Sequence, residues 1–221
     1  MESQGSDFLN FKQVDLLFQK GAKIIDTRNK HEFVQGYIQG SYNIQFGEKL
    51  GTFIIKLFRN EDKFIIICEQ EKEKDILKIF SENKLNDQFL GFFRNGIKEW
   101  KLNKQKKIIS SDIISENEFA DFYKKTDKNT FQILDVRNKE ELETEGYIQQ
   151  SKQIPLCDLE QQLQENQQLL DKDKCIYVFC KSGYRANIGL SILAKQDFKK
   201  VVNFGGMDGI KKTDIPVQQQ Q

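Results

Sequence analysis

The feature that most constrains this chain of 221 residues is an internal repeat, which recurs at an offset of about 110 residues. Three sequence blocks of the first half reappear in the second half in the same order. The aligned blocks are Lys23–Ile44 with Gln132–Ile154, Phe64–Cys68 with Ile176–Cys180, and Phe93–Trp100 with Phe204–Ile210. Chance does not readily place three blocks in register, so we predict two homologous domains, at residues 8–103 and 112–217.

Each repeat alternates short apolar runs with amphipathic stretches, which is typical of a buried parallel sheet covered by helices. In the second repeat the apolar runs predict strands at Phe131–Val136, Ile176–Phe179 and Val201–Phe204. The amphipathic stretches predict helices at Ser115–Lys125, Asn138–Glu145, Asp158–Leu170 and Ala186–Lys195. We therefore predict an α/β fold with two domains, each a mainly parallel sheet with helices on both faces.

The composition and the first residues of the chain limit the possible partners and the possible location in the cell. The 34 basic and 33 acidic side chains give a net charge of +1, so we predict no nucleic-acid partner. No apolar run approaches the roughly 20 residues that span a bilayer, so we predict no membrane partner. The first residues lack the regions of a secretory signal and carry Glu2 and Asp7, which are unusual in a mitochondrial presequence. The predicted location is the cytoplasm, and the mitochondrion stays open.

The cysteines do not form a metal-binding pattern. None of Cys68, Cys157, Cys175 and Cys180 lies in a CxxC pair, and His31 is the single histidine. A zinc site needs several such ligands at close spacing, so we predict no metal and no cofactor. Because no secretory signal is seen, the four thiols are expected to be free.

One cysteine stands at a chemically distinctive turn, in the stretch FCKSGYRAN. Cys180 ends an apolar run that predicts a strand, and in parallel sheets ligands bind beyond the carboxyl ends of the strands. Four residues separate Cys180 from Arg185. A loop that curls toward the sulfur would direct backbone N–H groups at it, and the next helix would add the positive end of its dipole. Lys181 and Arg185 add positive charge, and Gly183 supplies backbone freedom. Each effect favours the nucleophilic thiolate over the thiol.

These residues resemble the rhodanese family of sulfurtransferases. The stretch CKSGYRA is similar to the family's active loop, which has a cysteine, a short glycine-containing segment and an arginine. LDVRNKEELETEGYI resembles its upstream signature, and FGGMDGI resembles its closing motif. The resemblance covers nearly the whole chain, and the motifs are specific when taken together. The chain thus resembles a tandem rhodanese-domain protein.

The resemblance implies a thiosulfate-type sulfurtransferase. Cys180 would take the outer sulfur of a small anionic donor such as thiosulfate, hold it as a persulfide, and pass it to a thiol or cyanide acceptor. Arg185 would orient the anionic end of the donor. The implied substrate-binding residues are those of the loop, namely Lys181, Ser182, Gly183 and Tyr184. Asp135 and Arg137, at the end of a neighbouring strand, are expected to brace the loop rather than take part in the chemistry.

The first repeat lacks the residues that this chemistry needs. Cys68 aligns with Cys180, but EQEKE follows it, without a glycine and with Glu73 in the place of Arg185. Nearby carboxylates disfavour a thiolate and raise the pKa of the thiol. We therefore predict that Cys68 is a core residue and that activity resides in the second domain only. The silent first domain is a candidate docking site for a protein partner.

Two other functions stay open. The related phosphatases and arsenate reductases carry five residues between cysteine and arginine instead of four, so a phosphatase-like enzyme is the weaker alternative. A non-catalytic scaffold subunit of a larger assembly is the other. It is motivated by the silent first repeat and by the turn GYIQQS, which has Tyr147, Gln150 and Ser151 where the family commonly has histidine, glycine and alanine.

Overall fold

The computed structural model describes residues 7–103 and 107–219, and the chain divides between Ser110 and Ser111 into two compact units. The helices of the first unit are α1 (Phe11–Gln19), α2 (Lys30–Gln35), α3 (Leu50–Leu57), α4 (Glu73–Glu82) and α5 (Gly96–Leu102). Its strands are β1 (Lys23–Asp26), β2 (Tyr37–Ile38), β3 (Tyr42–Asn43), β4 (Phe64–Ile67), β5 (Phe89–Phe92) and β6 (Ile108–Ile109).

The first unit is built around a parallel sheet in the order β3–β1–β4–β5. Helices cover both faces of this sheet, so the central strand β4 is apolar along its whole length and β1 is apolar at its two middle residues. On one face Trp100 of α5 packs edge-on against Phe11 and Phe18. On the other face Phe64 packs against Phe80 of α4, with 5.3 Å between the ring centroids.

The second unit repeats this plan with longer strands. Its helices are α6 (Glu116–Lys125), α7 (Lys139–Glu145), α8 (Leu156–Glu165), α9 (Tyr184–Lys195) and α10 (Met207–Ile210), with a 3₁₀ turn at Lys128–Thr130. Its strands are β7 (Asp112–Ile113), β8 (Phe131–Asp135), β9 (Tyr147–Ile148), β10 (Ser151–Gln153), β11 (Cys175–Cys180), β12 (Val201–Gly206) and β13 (Val217–Gln218).

The second sheet is parallel in the order β10–β8–β11–β12–β7. On one face Phe119 of α6 stacks on Phe204 at 3.8 Å between centroids and also contacts Tyr177. On the other face the backbone of Gly189 in α9 lies against Val178. The predicted fold class, two α/β domains with parallel sheets flanked by helices, is confirmed.

Two helices have boundaries that differ from the predicted ones, and one of them, α8, begins at Leu156 rather than Asp158. The helix predicted at Asp158–Leu170 is α8, which ends at Glu165 because the side chain of Asn166 accepts a hydrogen bond from the Gln168 N–H and turns the chain away. The helix predicted to begin at Ala186 begins two residues earlier, because Gly183 adopts the left-handed conformation, with φ of 88°, and turns the chain directly into α9. Tyr184 and Arg185 therefore lie in the first helical turn rather than in the loop.

The turn that departs from the family pattern keeps its backbone geometry. Gln150 has a φ of 68°, and Gly40, which aligns with it in the first unit, has a φ of 92°. Glycine is the residue that tolerates this region, so Gln150 is the strained member of the two. The hydroxyl of Ser151 donates to the carbonyl of Ile148, as that of Ser41 donates to Ile38. The departure at Gln150 thus leaves the fold of the turn unchanged.

Candidate active site

The loop after β11 folds back on the cysteine that ends this strand. The N–H of Gly183 donates a hydrogen bond to the Sγ of Cys180, at a distance of 3.2 Å. Cys180 is only 1% exposed, whereas Lys181 and Ser182 lie on the surface. The sulfur therefore lies under a short connection, with a backbone amide directed at it and the amino end of α9 directly behind.

The closing glycine motif supports this loop from the adjacent strand. A Cβ atom on Gly206 would lie 2.1 Å from the carbonyl oxygen of Lys181, so only glycine lets β12 approach the loop this closely. The N–H of Gly206 donates to the carboxylate of Glu116 at 3.0 Å, and this bond holds the motif against the start of α6. The close packing of Gly206 against Lys181 thus helps to fix the position of the loop.

A buried asparagine adds a polar contact to the same loop. The side-chain amide of Asn203 donates to the carbonyl of Gly183 and to the side chain of Asn187 in α9, each at 3.3 Å. Its side-chain oxygen accepts the N–H of Gly205 at 2.9 Å. Because Asn203 is fully buried, these contacts satisfy groups that would otherwise be costly in the interior. Asn203 therefore connects the turn at Gly183 to the closing motif.

The arginine of the loop motif is held by a carboxylate that was not predicted to contact it. The Nη1 and Nη2 atoms of Arg185 donate to the two carboxylate oxygens of Glu141 at 2.5 and 2.6 Å. The side chains are only 19% and 21% exposed. The Arg185 bond lowers the pKa of Glu141, and the same bond raises the pKa of Arg185. Both groups are therefore charged at neutral pH.

A second carboxylate holds the lysine that follows the cysteine. The Nζ of Lys181 lies 2.5 Å from one oxygen of Glu145, and the other oxygen lies 3.9 Å from the Nζ of Lys211. The Nη1 of Arg137 lies 3.7 Å from the same carboxylate. The glutamate contact raises the pKa of Lys181. Glu145 thus forms ion pairs with basic side chains from three segments of the second unit.

The Asp-x-Arg motif forms a buried ion pair behind the loop. The Nε and Nη2 atoms of Arg137 donate to the carboxylate of Asp135 at 2.7 to 3.1 Å, and Nη2 also donates to the carbonyl of Gly146. Both side chains are completely buried. Burial raises the pKa of Asp135, and the contact with Arg137 opposes that effect. Asp135 lies beside Phe179 in the sheet register, one residue before the cysteine.

The first unit contains the same ion pair without the same chemistry around its cysteine. The Nε and Nη2 atoms of Arg28 bond to Asp26 at 2.6 to 3.1 Å, and Nη2 also donates to the carbonyl of Gly36. Because the motif has one geometry in both units, its contacts serve the fold of each. The bracing of the Cys180 loop by Asp135 and Arg137 stays a prediction.

The environment of Cys68 opposes ionisation. Burial, and secondly the carboxylate of Glu73, raise the pKa of Cys68 to about 12. Glu73 accepts a hydrogen bond from the Nε of Arg94 at 2.9 Å. The predicted direction of the shift is confirmed, although burial contributes more than the carboxylates. The second unit has Arg185 in the first turn of α9, whereas the first unit has Glu73 in the first turn of α4.

The structure brings some of the predicted site residues together and leaves others outside. Cys180 and Gly183 are in direct contact, Arg185 lies in the adjoining helical turn, and Tyr184 is half-buried beside it. Ser182 is exposed. The sequence prediction did not assign site roles to four contributing side chains, Glu116, Glu141, Glu145 and Asn203. Asn203 carried a signal, because a polar residue within an apolar strand must find partners in the interior.

In residues 7–103 and 107–219, no three histidine, cysteine or acidic side chains form a group that could bind a metal ion. None of the helices in these ranges has the length and apolar character needed to cross a membrane.

Comparison with known proteins gives matches in both halves. The model of the family described as "Rhodanese-like domain" matches residues 11–103 and 118–213. "Putative sulfur carrier protein YrkF" of Bacillus subtilis (strain 168) is 36% identical over 104 residues, which cover 46% of this chain and 54% of that protein. "Uncharacterized protein YqhL" of the same organism is 31% identical over 99 residues, which cover 45% of this chain and 69% of that protein.

One of the solved structures to which this chain is similar is also described as rhodanese-related. The crystal structure of a rhodanese-related protein from Thermoplasma volcanium matches at 26% identity and a TM-score of 0.41, covering 49% of this chain and 99% of that one. This chain spans little more than half the length of YrkF. Since the family model accounts for most of both halves, the chain belongs to the rhodanese-like domain family and contains two such domains.

Proposed function

We propose that this protein is a sulfurtransferase that carries sulfane sulfur as a persulfide on Cys180. The observation that carries the proposal is the bond from the Gly183 N–H to the Cys180 sulfur, made at the amino end of α9. A donated N–H and a helix amino terminus both favour negative charge on that sulfur. The name of the relative YrkF, a putative sulfur carrier, supports the same class of reaction.

The proposed reaction has two balanced steps. In the first, the Cys180 thiolate attacks the terminal sulfur of a sulfane donor, a sulfur–sulfur bond forms at Cys180, and the donor's own bond to that sulfur breaks. The leaving group departs with the electron pair, as a thiolate from an organic persulfide or as sulfite from thiosulfate. In the second, a thiol or cyanide attacks the outer sulfur and releases the Cys180 thiolate. No external oxidant or reductant is needed.

The surroundings of Cys180 suit a small transferred atom. Because Cys180 is 1% exposed, the donor must present a single projecting sulfur to it. The Gly183 amide, now bonded to Sγ, lies where it can also stabilise a persulfide anion. The Asp135–Arg137 pair has the same geometry in the first unit, so we assign it to bracing the loop rather than to the transfer.

We assign this activity to the second domain alone. The raised pKa of Cys68 keeps that thiol protonated at neutral pH, and a protonated thiol is a poor nucleophile. The first domain lacks a basic side chain at the position of Arg185 and carries Glu73 there. It remains a candidate docking site for a protein that donates or receives sulfur.

A single-turnover assay tests the proposal. The protein is loaded with thiosulfate or with cysteine persulfide, separated from excess donor and treated with cyanide, and thiocyanate is measured. We expect one equivalent per chain at most, and the same yield from the Cys68→Ser variant. If neither donor yields thiocyanate, sulfur transfer is wrong and the non-catalytic scaffold alternative takes its place. If Cys68→Ser removes the yield, the assignment to the second domain is wrong.

A further inference from the structure

We propose that Glu141 determines which sulfur donor the Cys180 loop accepts, by neutralising Arg185 and so favouring an organic persulfide over the thiosulfate dianion. The inference rests on the proposed sulfurtransferase function and names its donor class. It starts from the structure, in which the guanidinium expected to orient an anionic donor already holds a carboxylate through two hydrogen bonds.

The carboxylate of Glu141 is held in place by a second hydrogen bond besides those from Arg185. The residue occupies the third position of α7, where its carboxylate accepts the N–H of Asn138 at 3.0 Å in a capping box. The same carboxylate accepts hydrogen bonds from Arg185 in α9, which is 44 residues away in sequence. Because the guanidinium donates to both carboxylate oxygens and the Asn138 N–H donates to one of them, an anionic donor must displace a well-placed competitor.

The remaining charges near the loop are balanced in the same way. Lys181 is paired with Glu145, and Arg137 is paired with Asp135. Lys211, at 3.9 Å from Glu145, adds one positive charge, and Asp208, whose N–H donates to the carbonyl of Lys181, adds one negative charge. Glu116, whose carboxylate accepts the N–H of Gly206, adds a further negative charge. The four basic side chains named around the loop thus face five acidic ones: Arg137, Lys181, Arg185 and Lys211 against Glu116, Asp135, Glu141, Glu145 and Asp208.

This balance affects the two donors differently. Thiosulfate brings two negative charges to a site that already holds the Cys180 thiolate, and sulfite leaves with two. An organic persulfide, R–S–SH, brings at most one at the reacting sulfur, and a single thiolate leaves. Like charges a few ångströms apart repel each other unless a cation compensates them. In this loop the cations are already compensated, so the donor with less charge is favoured.

The variant Glu141→Gln tests the inference, because glutamine keeps the capping box and removes the charge. The rates of Cys180 sulfuration by freshly generated cysteine persulfide and by thiosulfate are measured, and their ratio is compared. The wild-type ratio should favour cysteine persulfide, and Glu141→Gln should shift it toward thiosulfate on the order of tenfold. A ratio is used because general damage to the loop lowers both rates together.

The matched control is Glu140→Gln, which removes one charge from an exposed neighbour in the same helical turn. It should leave the ratio within about twofold of the wild-type value, since screening weakens exposed charges. The inference is overturned if the wild-type protein reacts equally well or better with thiosulfate, or if Glu141→Gln changes the ratio no more than the control does. A failure of both donors to modify Cys180 in the wild-type protein is a distinct result, which overturns the proposed function itself.

Discussion

Replacing Cys180 with serine should lower the rate of sulfur transfer at least about a thousandfold, because a serine hydroxyl is not ionised at neutral pH and cannot form a persulfide. The fold should survive the change. Serine is close to cysteine in size, and its hydroxyl can accept the Gly183 N–H that the sulfur now accepts. We expect the free energy of unfolding to change by no more than about 1 kcal/mol. Steady-state thiocyanate formation and denaturant unfolding measure the two effects.

The control for this substitution is Cys157→Ser, which removes an exposed thiol from α8 by the same chemical change. It should retain the wild-type rate. The account fails if Cys180→Ser folds normally and keeps more than about a tenth of the activity, because removing an essential nucleophile costs far more than that. An equal loss in both serine variants would show that the assay does not report on Cys180.

Replacing Asp135 with alanine should lower the free energy of unfolding of the second unit by about 3–5 kcal/mol. The reason is that the completely buried Arg137 guanidinium would lose the carboxylate that accepts its hydrogen bonds, and the carboxylate that remains, Glu145, lies 3.7 Å from its Nη1 without a hydrogen bond. Because the ion pair lies beside Phe179, in the strand that ends at Cys180, the sulfuration rate should fall as well. Chemical unfolding followed by circular dichroism measures the loss of stability.

The matched variant is Asp26→Ala, which breaks the equivalent pair in the first unit. Arg28 is 17% exposed, so water can reach its guanidinium and the destabilisation should be smaller. The single tryptophan, Trp100, lies in the first unit and gives a fluorescence signal for this variant. Sulfuration of Cys180 should persist. A loss of less than about 1 kcal/mol for Asp135→Ala would contradict the bracing role, because removing one member of a buried pair is a costly change.

The sheet could be predicted from sequence because the local patterns agree with the fold. The strand predicted at Phe131–Val136 is β8 to within one residue, and the strand predicted at Ile176–Phe179 is the centre of β11. These runs are apolar on both faces, and such runs are compatible with burial between two layers of helices. The start of α9 could not be predicted in this way, because it depends on the left-handed conformation of Gly183 rather than on apolar periodicity.

The charge partners of the site could not be predicted in the same way. The capping box of α7 is a local signal, and it accounts for only one of the two contacts of Glu141. The other contact, to Arg185, joins segments that are distant in sequence and adjacent only after folding. Glu145 likewise meets Lys181 from another segment. Sequence motifs therefore indicate which residue to propose as the nucleophile, whereas the pairing of the nearby basic side chains with carboxylates follows only from the tertiary structure.

The first unit shows the same division between local and tertiary information. The absence of glycine after Cys68 and the presence of Glu73 predicted a thiol that resists ionisation. The structure adds that burial is the larger cause of the raised pKa, and that Glu73 is itself held by Arg94. Burial of one side chain depends on what packs around it, which a single sequence does not specify.

The most direct test of the central claim is the position of the transferred sulfur. The intact protein is treated with cysteine persulfide, separated from the donor, alkylated under conditions that preserve persulfides, and analysed by mass spectrometry before and after proteolysis. We expect a gain of about 32 Da, one sulfur atom per chain, carried by the peptide that contains Cys180. A gain located on Cys68, Cys157 or Cys175, or one that persists in Cys180→Ser, would contradict it.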